Sequence, residues 1–415
     1  MLPTSFIFDF IMSIKINLVK VFDISTKFND TFNQAMNLKG FKMNDFTVTF
    51  SSPVTDQPTV AIKDSIDVVG TPTQLGCDAC SNALPAPKDA AIVKQLKKHR
   101  FSIVGKTVMH ELAFGMTGVN RSYGTPVNPL YPNLIPGGSS SGSATAVASG
   151  QVDVAIGTDT GGSVRMPAAC CGIYGFKPTF GLVSRDGVWP TETSLDCVGV
   201  FANSAKLITQ TMQAIEPDFE AQTLPQENLM LGWLETDANE RINNTIKSVL
   251  GNCPSIDLKS VQLPDFDEAF KAGLTIINRE TWLACKDFYA TGKVGQDVAT
   301  RLENASHTTD EAVSQAEKVR VAFSEQVDDV LKDTRVLVLP TLPHFPMTIT
   351  EALADKSDLT ISKLVRPFNL SGHPAYAIPC PSEYDLPISL QLVGRKGDDA
   401  FLCALAERLA ASFLQ

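Results

Sequence analysis

A strand, a helix and a second strand follow one another between Val60 and Thr107, and this succession constrains the fold more than any other feature of the chain. VAIKDSIDV (60–68) alternates weakly around apolar residues, as a sheet strand does. DAAIVKQLKKHR (89–100) spaces its apolar residues along one helical face and ends in positive charge, which suits a helix C-terminus. FSIVGKT (101–107) then has the character of a buried strand. A β-α-β unit of this kind calls for parallel strands in a helix-covered sheet, so the expected class is α/β.

The rest of the chain continues in the same style. After a long polar loop (109–144), SATAVASG is helix-compatible and QVDVAIGTDT (151–160) is a strand. SAKLITQTMQAI and ERINNTIKSVLGN are expected helices, with the strand NLMLGWL (228–234) between them. Residues of about 265–332 are expected to form a charged helical cover. VLVLPTLP (336–343) and PISLQLVGRKG are strands, NLSGHPAYAIPCP a loop, and DDAFLCALAERLAASFL a closing amphipathic helix. At 415 residues the length allows one large domain or two to three ordinary ones.

Composition removes several function classes. A net charge of -10 opposes a general nucleic-acid-binding surface. Nine cysteines are too sparse for a disulfide scaffold and an odd number cannot all pair within one chain, so buried reduced thiols are expected. Cys77 and Cys80 form a lone CxxC without a second ligand pair, which gives no zinc site, and no metal or cofactor is expected. The apolar opening MLPTSFIFDFIMSIKI is interrupted by Asp9 and lacks the basic start of a signal peptide, and no run is long enough to span a membrane. A cytoplasmic protein is expected, with a homodimer left open.

Two glycine- and serine-rich loops carry the chemistry: PGGSSSGS (136–143) and GTDTGGSVR (157–165). A phosphate cradle would need a P-loop lysine or a G-x-G-x-x-G turn, and an α/β-hydrolase elbow would need glycine two residues after Ser163; neither pattern is present. A serine nucleophile fits better. Backbone N–H groups from Thr160, Gly161, Gly162 and Ser163 could stabilise a developing oxyanion by roughly 3 to 4 kcal/mol per donor. The hydroxyl also needs a base. Among the five histidines, His99 and His307 lie in charged or polar helical contexts, and His110, His344 and His373 lack a local triad signature. Lys63, in the middle of an apolar strand, is the other candidate if burial lowers its pKa. Its alternative is an ordinary ion pair with Asp64 or Asp67.

Taken together, VAIKDSIDVVGTPTQLG, IPGGSSSGSATAVASG and GTDTGGSVRMPAACCGIYGFKPTFG closely resemble, in that order, the amidase signature family of Ser-Ser-Lys amidohydrolases. The resemblance is specific over about 58–205 and looser to the C-terminus. It implies one large domain (46–415) after a lead-in and helix (1–45), with a mixed central sheet covered by helices on both faces. It also implies Ser163 as nucleophile, Lys63 as base, a bridging Ser139 after a cis Gly138–Ser139 peptide, and oxyanion donors from Thr160 to Ser163. The family spacing of 24 between the two serines selects Ser139 over Ser140 and Ser141 (163 − 139 = 24). Ser141 stands where many members have glycine. Asp159 and Arg165 are expected to brace the loop, Thr117 and Gly118 to touch substrate, and Cys170 and Cys171 to pack in the core. The implied activity is hydrolysis of a small carboxamide to carboxylate and ammonia, with an arylacetamide such as indole-3-acetamide as the expected substrate. The alternatives are a ureido-compound hydrolase and the glutaminase (A) subunit of a tRNA-dependent amidotransferase. The latter needs partner subunits and a carboxylate-binding arginine, for which Arg279, Arg320 and Arg366 are candidates. A catalytically silent scaffold is disfavoured because Lys63, Ser139 and Ser163 are all present.

Overall fold

The computed structural model of the chain describes residues 45–50, 56–225, 227–354, 356 and 358–413. The lead-in and helix expected at 1–45 fall outside them except for Asp45. In chain order the elements are β1 (Phe46–Thr49), β2 (Thr59–Lys63), α1 (Ala91–Lys98), β3 (Ser102–Thr107), α2 (Ser141–Ala148), β4 (Val154–Asp159), α3 (Arg165–Cys170), β5 (Tyr174–Lys177), β6 (Cys197–Ala202), α4 (Ala205–Ile215), β7 (Leu229–Leu234) and α5 (Glu240–Gly251). They continue with β8 (Ile256–Val261), α6 (Phe266–Ala290), α7 (Gln296–Ser306), α8 (Asp310–Thr334), β9 (Val336–Pro340), α9 (Ile349–Leu353), α10 (Pro367–Leu370), β10 (Ala375–Pro379), β11 (Ser389–Gly394) and α11 (Asp399–Phe413).

The strands form one sheet in the order β1-β3-β2-β4-β6-β5-β10-β11-β9-β7-β8. β2 runs parallel to β3 and β4, and β7 parallel to β8 and β9, whereas β4–β6, β5–β10 and β10–β11 are antiparallel. The sheet is mixed, as expected.

Period-2 alternation explains its two covered faces. Val60 and Ile62 of β2, Val154 and Ile156 of β4, Tyr376 and Ile378 of β10, and Leu390 and Leu392 of β11 all join one apolar cluster. There they meet Ile92 of α1, Met212 of α4, Ile246 of α5 and Leu405 of α11. Their neighbours face the other way. Ala61 and Ala155 meet Ala144 of α2 and Ala168 of α3, while Leu337, Leu339 and Val393 meet Ile276 of α6 and Phe323 of α8. Strands buried on both sides read as nearly continuous apolar runs, such as CVGVFA in β6 and VLVLP in β9.

Several expectations need correction. The strand expected over 60–68 ends at Lys63, where the chain turns and the Ile66 N–H donates back to the Lys63 carbonyl at 3.0 Å. The segment NLSGHPAYAIPCP is not wholly loop: it contains part of α10 and all of β10, and β10 sits mid-sheet between β5 and β11. Prolines at both ends of this short strand hide its pattern. The helical cover expected over about 265–332 is present as α6, α7 and α8. All nine cysteines are free thiols, and Cys170 and Cys171 are fully buried in packing positions. Among the described residues no helix is long and apolar enough to cross a membrane.

Phe176 of β5 is fully buried and its ring lies 5.2 Å from that of Tyr376 on the neighbouring strand. Phe176→Ala is expected to lower unfolding free energy by about 3 to 5 kcal/mol, measured by denaturant titration, because the site cannot collapse around the lost ring.

Candidate active site

Lys63 ends β2 with its side chain fully buried at the start of the following turn. Its Nζ donates to Ser139 Oγ at 2.8 Å and to Thr158 Oγ1 of β4 at 2.8 Å. Neither alternative ion pair forms. Asp64 instead binds Lys106 Nζ at 2.9 Å, and Asp67 accepts from Thr73 Oγ1 at 2.6 Å. Burial pushes the Lys63 ammonium down to about 7, with the charges of Asp196 and Asp159 partly offsetting it. The two oxygens that accept from it are neutral hydroxyls and hold its proton only weakly.

Ser139 follows a cis peptide from Gly138, and its carbonyl accepts the His110 N–H at 2.9 Å. Its neighbours are engaged differently: Ser140 Oγ donates to the Thr158 carbonyl at 3.3 Å, and Ser141 opens α2 with its hydroxyl buried and unpartnered among the described residues. Lys63 therefore contacts the one serine of the three that the family spacing selects.

The loop joining β4 to α3 carries Thr160, Gly161, Gly162 and Ser163 around the Asp159 carboxylate. Asp159 Oδ1 accepts from Gly162 N at 2.8 Å, and Oδ2 accepts from Val164 N and Arg165 N at 3.1 and 3.2 Å. The Gly162 N–H is thus committed to Asp159, which removes it from the expected oxyanion donors and leaves Thr160, Gly161 and Ser163. Arg165 closes the ring with Nε 3.0 Å from Asp159 Oδ2 and Nη2 2.9 Å from Oδ1. Its remaining donors reach the Val365 carbonyl, Gln391 Oε1 and Asn369 Oδ1. Burial opposes ionisation of Asp159, but the charge and hydrogen bonds of Arg165, with Lys177 and Asn369, outweigh it and hold the carboxyl below the usual range.

Ser163 opens into a cavity of about 160 Å³ together with Thr160 and Gly161. Among the described residues no hydrogen bond joins Ser163 to Ser139. The cavity's other walls come from Phe114 and Met116, from Leu274 and Ile277 of α6, and from Arg301 and Arg366. Thr117 and Gly118, expected to touch substrate, do not line it. A Cβ on Gly118 would lie 2.4 Å from the Gly137 carbonyl and 2.8 Å from Ser141 Cβ, and Thr117 Oγ1 accepts from the Val119 N–H at 3.3 Å. Asn120 is likewise structural, tying the carbonyls of Gly76 and Met109 at 2.8 Å each.

None of the three histidines in loop contexts bonds Ser163 among the described residues. His373 binds Asp328 and Ser371, and His344 binds Thr360 and Asp358. His110 is fully buried and pushed down to about 3 by burial and by the charges of Arg301 and Lys63, so it is neutral. Two contributors escaped sequence reasoning: Thr158, the second acceptor for Lys63, and Asp196, which accepts from Thr160 Oγ1 at 2.9 Å and pairs with Arg185. Thr158 could have been found by its position within the β4 segment; Asp196 carries no local signal.

Removing the carboxylate with Asp159→Ala strands the Arg165 cation in the core. A loss of about 3 to 5 kcal/mol is expected in denaturant titration, with Asp159→Asn milder because the amide oxygen still accepts.

The Amidase family model matches residues 58–250 and 258–403. The chain is 32% identical over 406 residues to Amidase 1 of Arabidopsis thaliana, covering 88% of this chain and 95% of that protein. It is 32% identical over 398 residues to the A-type subunit of the glutamyl-tRNA(Gln) amidotransferase of Pseudothermotoga lettingae, covering 84% of each. A solved amidase crystal structure superposes with a TM-score of 0.78 at 27% identity, covering 86% of this chain and 84% of that one. This chain belongs to the Amidase family and is an amide hydrolase.

Proposed function

We propose that the chain hydrolyses a small carboxamide through an acyl-enzyme on Ser163. The observation that carries this is the buried Lys63 amine, 2.8 Å from Ser139 Oγ, at the edge of the loop that presents Ser163 to the cavity. Neutral Lys63 takes the Ser139 proton as Ser139 takes that of Ser163, whose oxygen attacks the amide carbon. The oxyanion rests on N–H groups of the Thr160–Ser163 loop. As the C–N bond breaks, the proton returns through Ser139 to the nitrogen and ammonia leaves. Water, deprotonated through the same relay, attacks the ester and releases the carboxylate.

Phe114, Met116, Leu274 and Ile277 give the cavity apolar walls suited to the body of a small acyl group, such as that of an arylacetamide like indole-3-acetamide. A different substrate, glutamine, would make the chain a glutaminase component resembling the amidotransferase relative. Of the three arginines expected as candidates, Arg366 lines the cavity, while Arg279 binds Asp310 and the Thr308 carbonyl, and Arg320 binds Ser194.

The test is ammonia release by the purified chain alone from indole-3-acetamide, short aliphatic amides, ureido compounds and glutamine. Ser163→Ala is expected to lower kcat by about 10⁴- to 10⁶-fold with an unchanged melting temperature. Wild-type activity in that variant would refute the nucleophile. Ammonia from glutamine only in a complex would favour the glutaminase reading. Because the base must be neutral, kcat/KM is expected to rise with pH through a single deprotonation near 7, following the lowered Lys63 value, and to level off above it. A flat profile between pH 6 and 8 would exclude Lys63 as the base.

A further inference from the structure

Arg366 is only 3% exposed, yet its Nε and Nη1 have no hydrogen-bond partner among the described residues. It precedes α10 on a segment pressed against the oxyanion loop. A Cβ on Gly162 would lie 2.3 Å from Val365 Cγ2, and one on Gly161 would lie 3.4 Å from Arg366 Nε. Glycine at 162 is what allows Val365 to approach, and Arg366 follows it at ordinary contact distance from Gly161. On its other side the arginine stem packs on Gly273 of α6, and the guanidinium stands 4.5 Å from the centre of the Phe270 ring.

A buried cation without a carboxylate is costly, and one aromatic face offsets only part of that cost. Burial alone pushes Arg366 down to about 10, which leaves it charged at neutral pH. The second guanidinium in the wall, Arg301, differs because it donates to the Phe114 carbonyl at 3.1 Å and faces His110. Among the described residues neither Asp nor Glu lines the cavity. The wall around Ser163 therefore carries two positive charges, with uncommitted donors on one of them and no carboxylate; Glu280, in the adjoining cavity that shares Phe114, Thr160 and Ile277, is already engaged by Thr193 Oγ1 and by the N–H and hydroxyl of Ser194.

We infer that Arg366 accepts a carboxylate on the acyl part of the substrate, so that monoamides of short dicarboxylic acids that carry no amine are preferred over a neutral amide such as an arylacetamide. This rests on the amide-hydrolase reading for the reaction, in which water and the monoamide give the dicarboxylate and ammonia. It stands apart from that reading for binding.

The experiment compares succinamate with its neutral analogue butyramide, and glutaramate with glutamine. In the wild-type protein kcat/KM is expected to favour succinamate over butyramide by roughly 100-fold, the scale of a charge-assisted hydrogen-bonding pair, and to favour glutaramate over glutamine because the ammonium of glutamine finds no acceptor in the wall. Arg366→Met is expected to bring the succinamate-to-butyramide ratio to within about threefold, and Arg366→Lys to restore part of it as a point charge without the planar fork. Binding is read separately by calorimetry on the Ser163→Ala protein, which should bind succinamate and not butyramide. Equal rates and equal binding for the charged and neutral amides, or a preference for glutamine over glutaramate, would overturn the assignment whether or not the Arg366 variants fold. Selective succinamate binding without Ser163-dependent hydrolysis would keep Arg366 as the acceptor and refute the reaction.

Discussion

The site is organised by one buried ion pair. Asp159 and Arg165 are both fully enclosed, and each oxygen of the carboxylate accepts from both the loop backbone and the guanidinium. An enclosed ion pair contributes little net stability, because desolvation consumes most of the attraction. What this one supplies is position. Through Asp159 it fixes Gly162, Val164 and Arg165 of the loop; through Arg165 it reaches Val365, Asn369 and Gln391, on the segment before α10, α10 itself and β11. Asn369 returns the tie by donating to both the Asp159 carbonyl and its carboxylate. The loop that presents Ser163 and the segment that presents Arg366 are thereby held as one unit, although Arg165 and Val365 lie 200 residues apart in the chain.

Three lysines are fully buried near this centre, and their different partners explain their different roles. Lys106 has a carboxylate at 2.9 Å and a carbonyl at 2.8 Å, so its charge is balanced in place. Lys177 donates to the Pro178 carbonyl at 3.0 Å; burial lowers its pKa, and Cys197 and Asp159 work against that. Among the described residues Lys63 has only hydroxyl acceptors, with the acidic groups Asp196 and Asp159 acting on it from beyond contact. Without a carboxylate in contact, desolvation dominates at Lys63, and an amine poised near neutrality results.

How much of this was legible in the sequence depended on whether the signal was local. The β-α-β unit, the helical cover and the two glycine–serine loops were readable because apolar spacing and glycine runs act over a few residues. The burial of Lys63 in a strand was readable too, but its choice of Ser139 over Asp64 was not, since Lys106, which claims Asp64, comes from the adjacent strand. β10 was hidden by prolines at either end. The wall of the cavity was misplaced by only a few residues, from Ala113–Met116 to Thr117 and Gly118, because a loop of that length gives no periodicity to set its register. The commitment of the Gly162 N–H to Asp159 depends on a three-residue turn whose hydrogen bonds no spacing rule supplies.

Net charge is the weakest guide to what the cavity accepts. A chain carrying -10 overall would be expected to repel anions, yet the space beside Ser163 is lined by two arginines and, among the described residues, no acid. These facts are compatible because charges on the outer surface are screened over about 8 Å at physiological ionic strength, whereas an enclosed guanidinium is not. Specificity is decided after the ligand has left bulk water, where one uncommitted cation in a low-dielectric wall outweighs a diffuse surface excess of the opposite sign. The two glycines before Ser163 then serve different ends: Gly162 gives its N–H to Asp159 and leaves room for Val365, while Gly161 shares with Ser163 the wall that Arg366 completes.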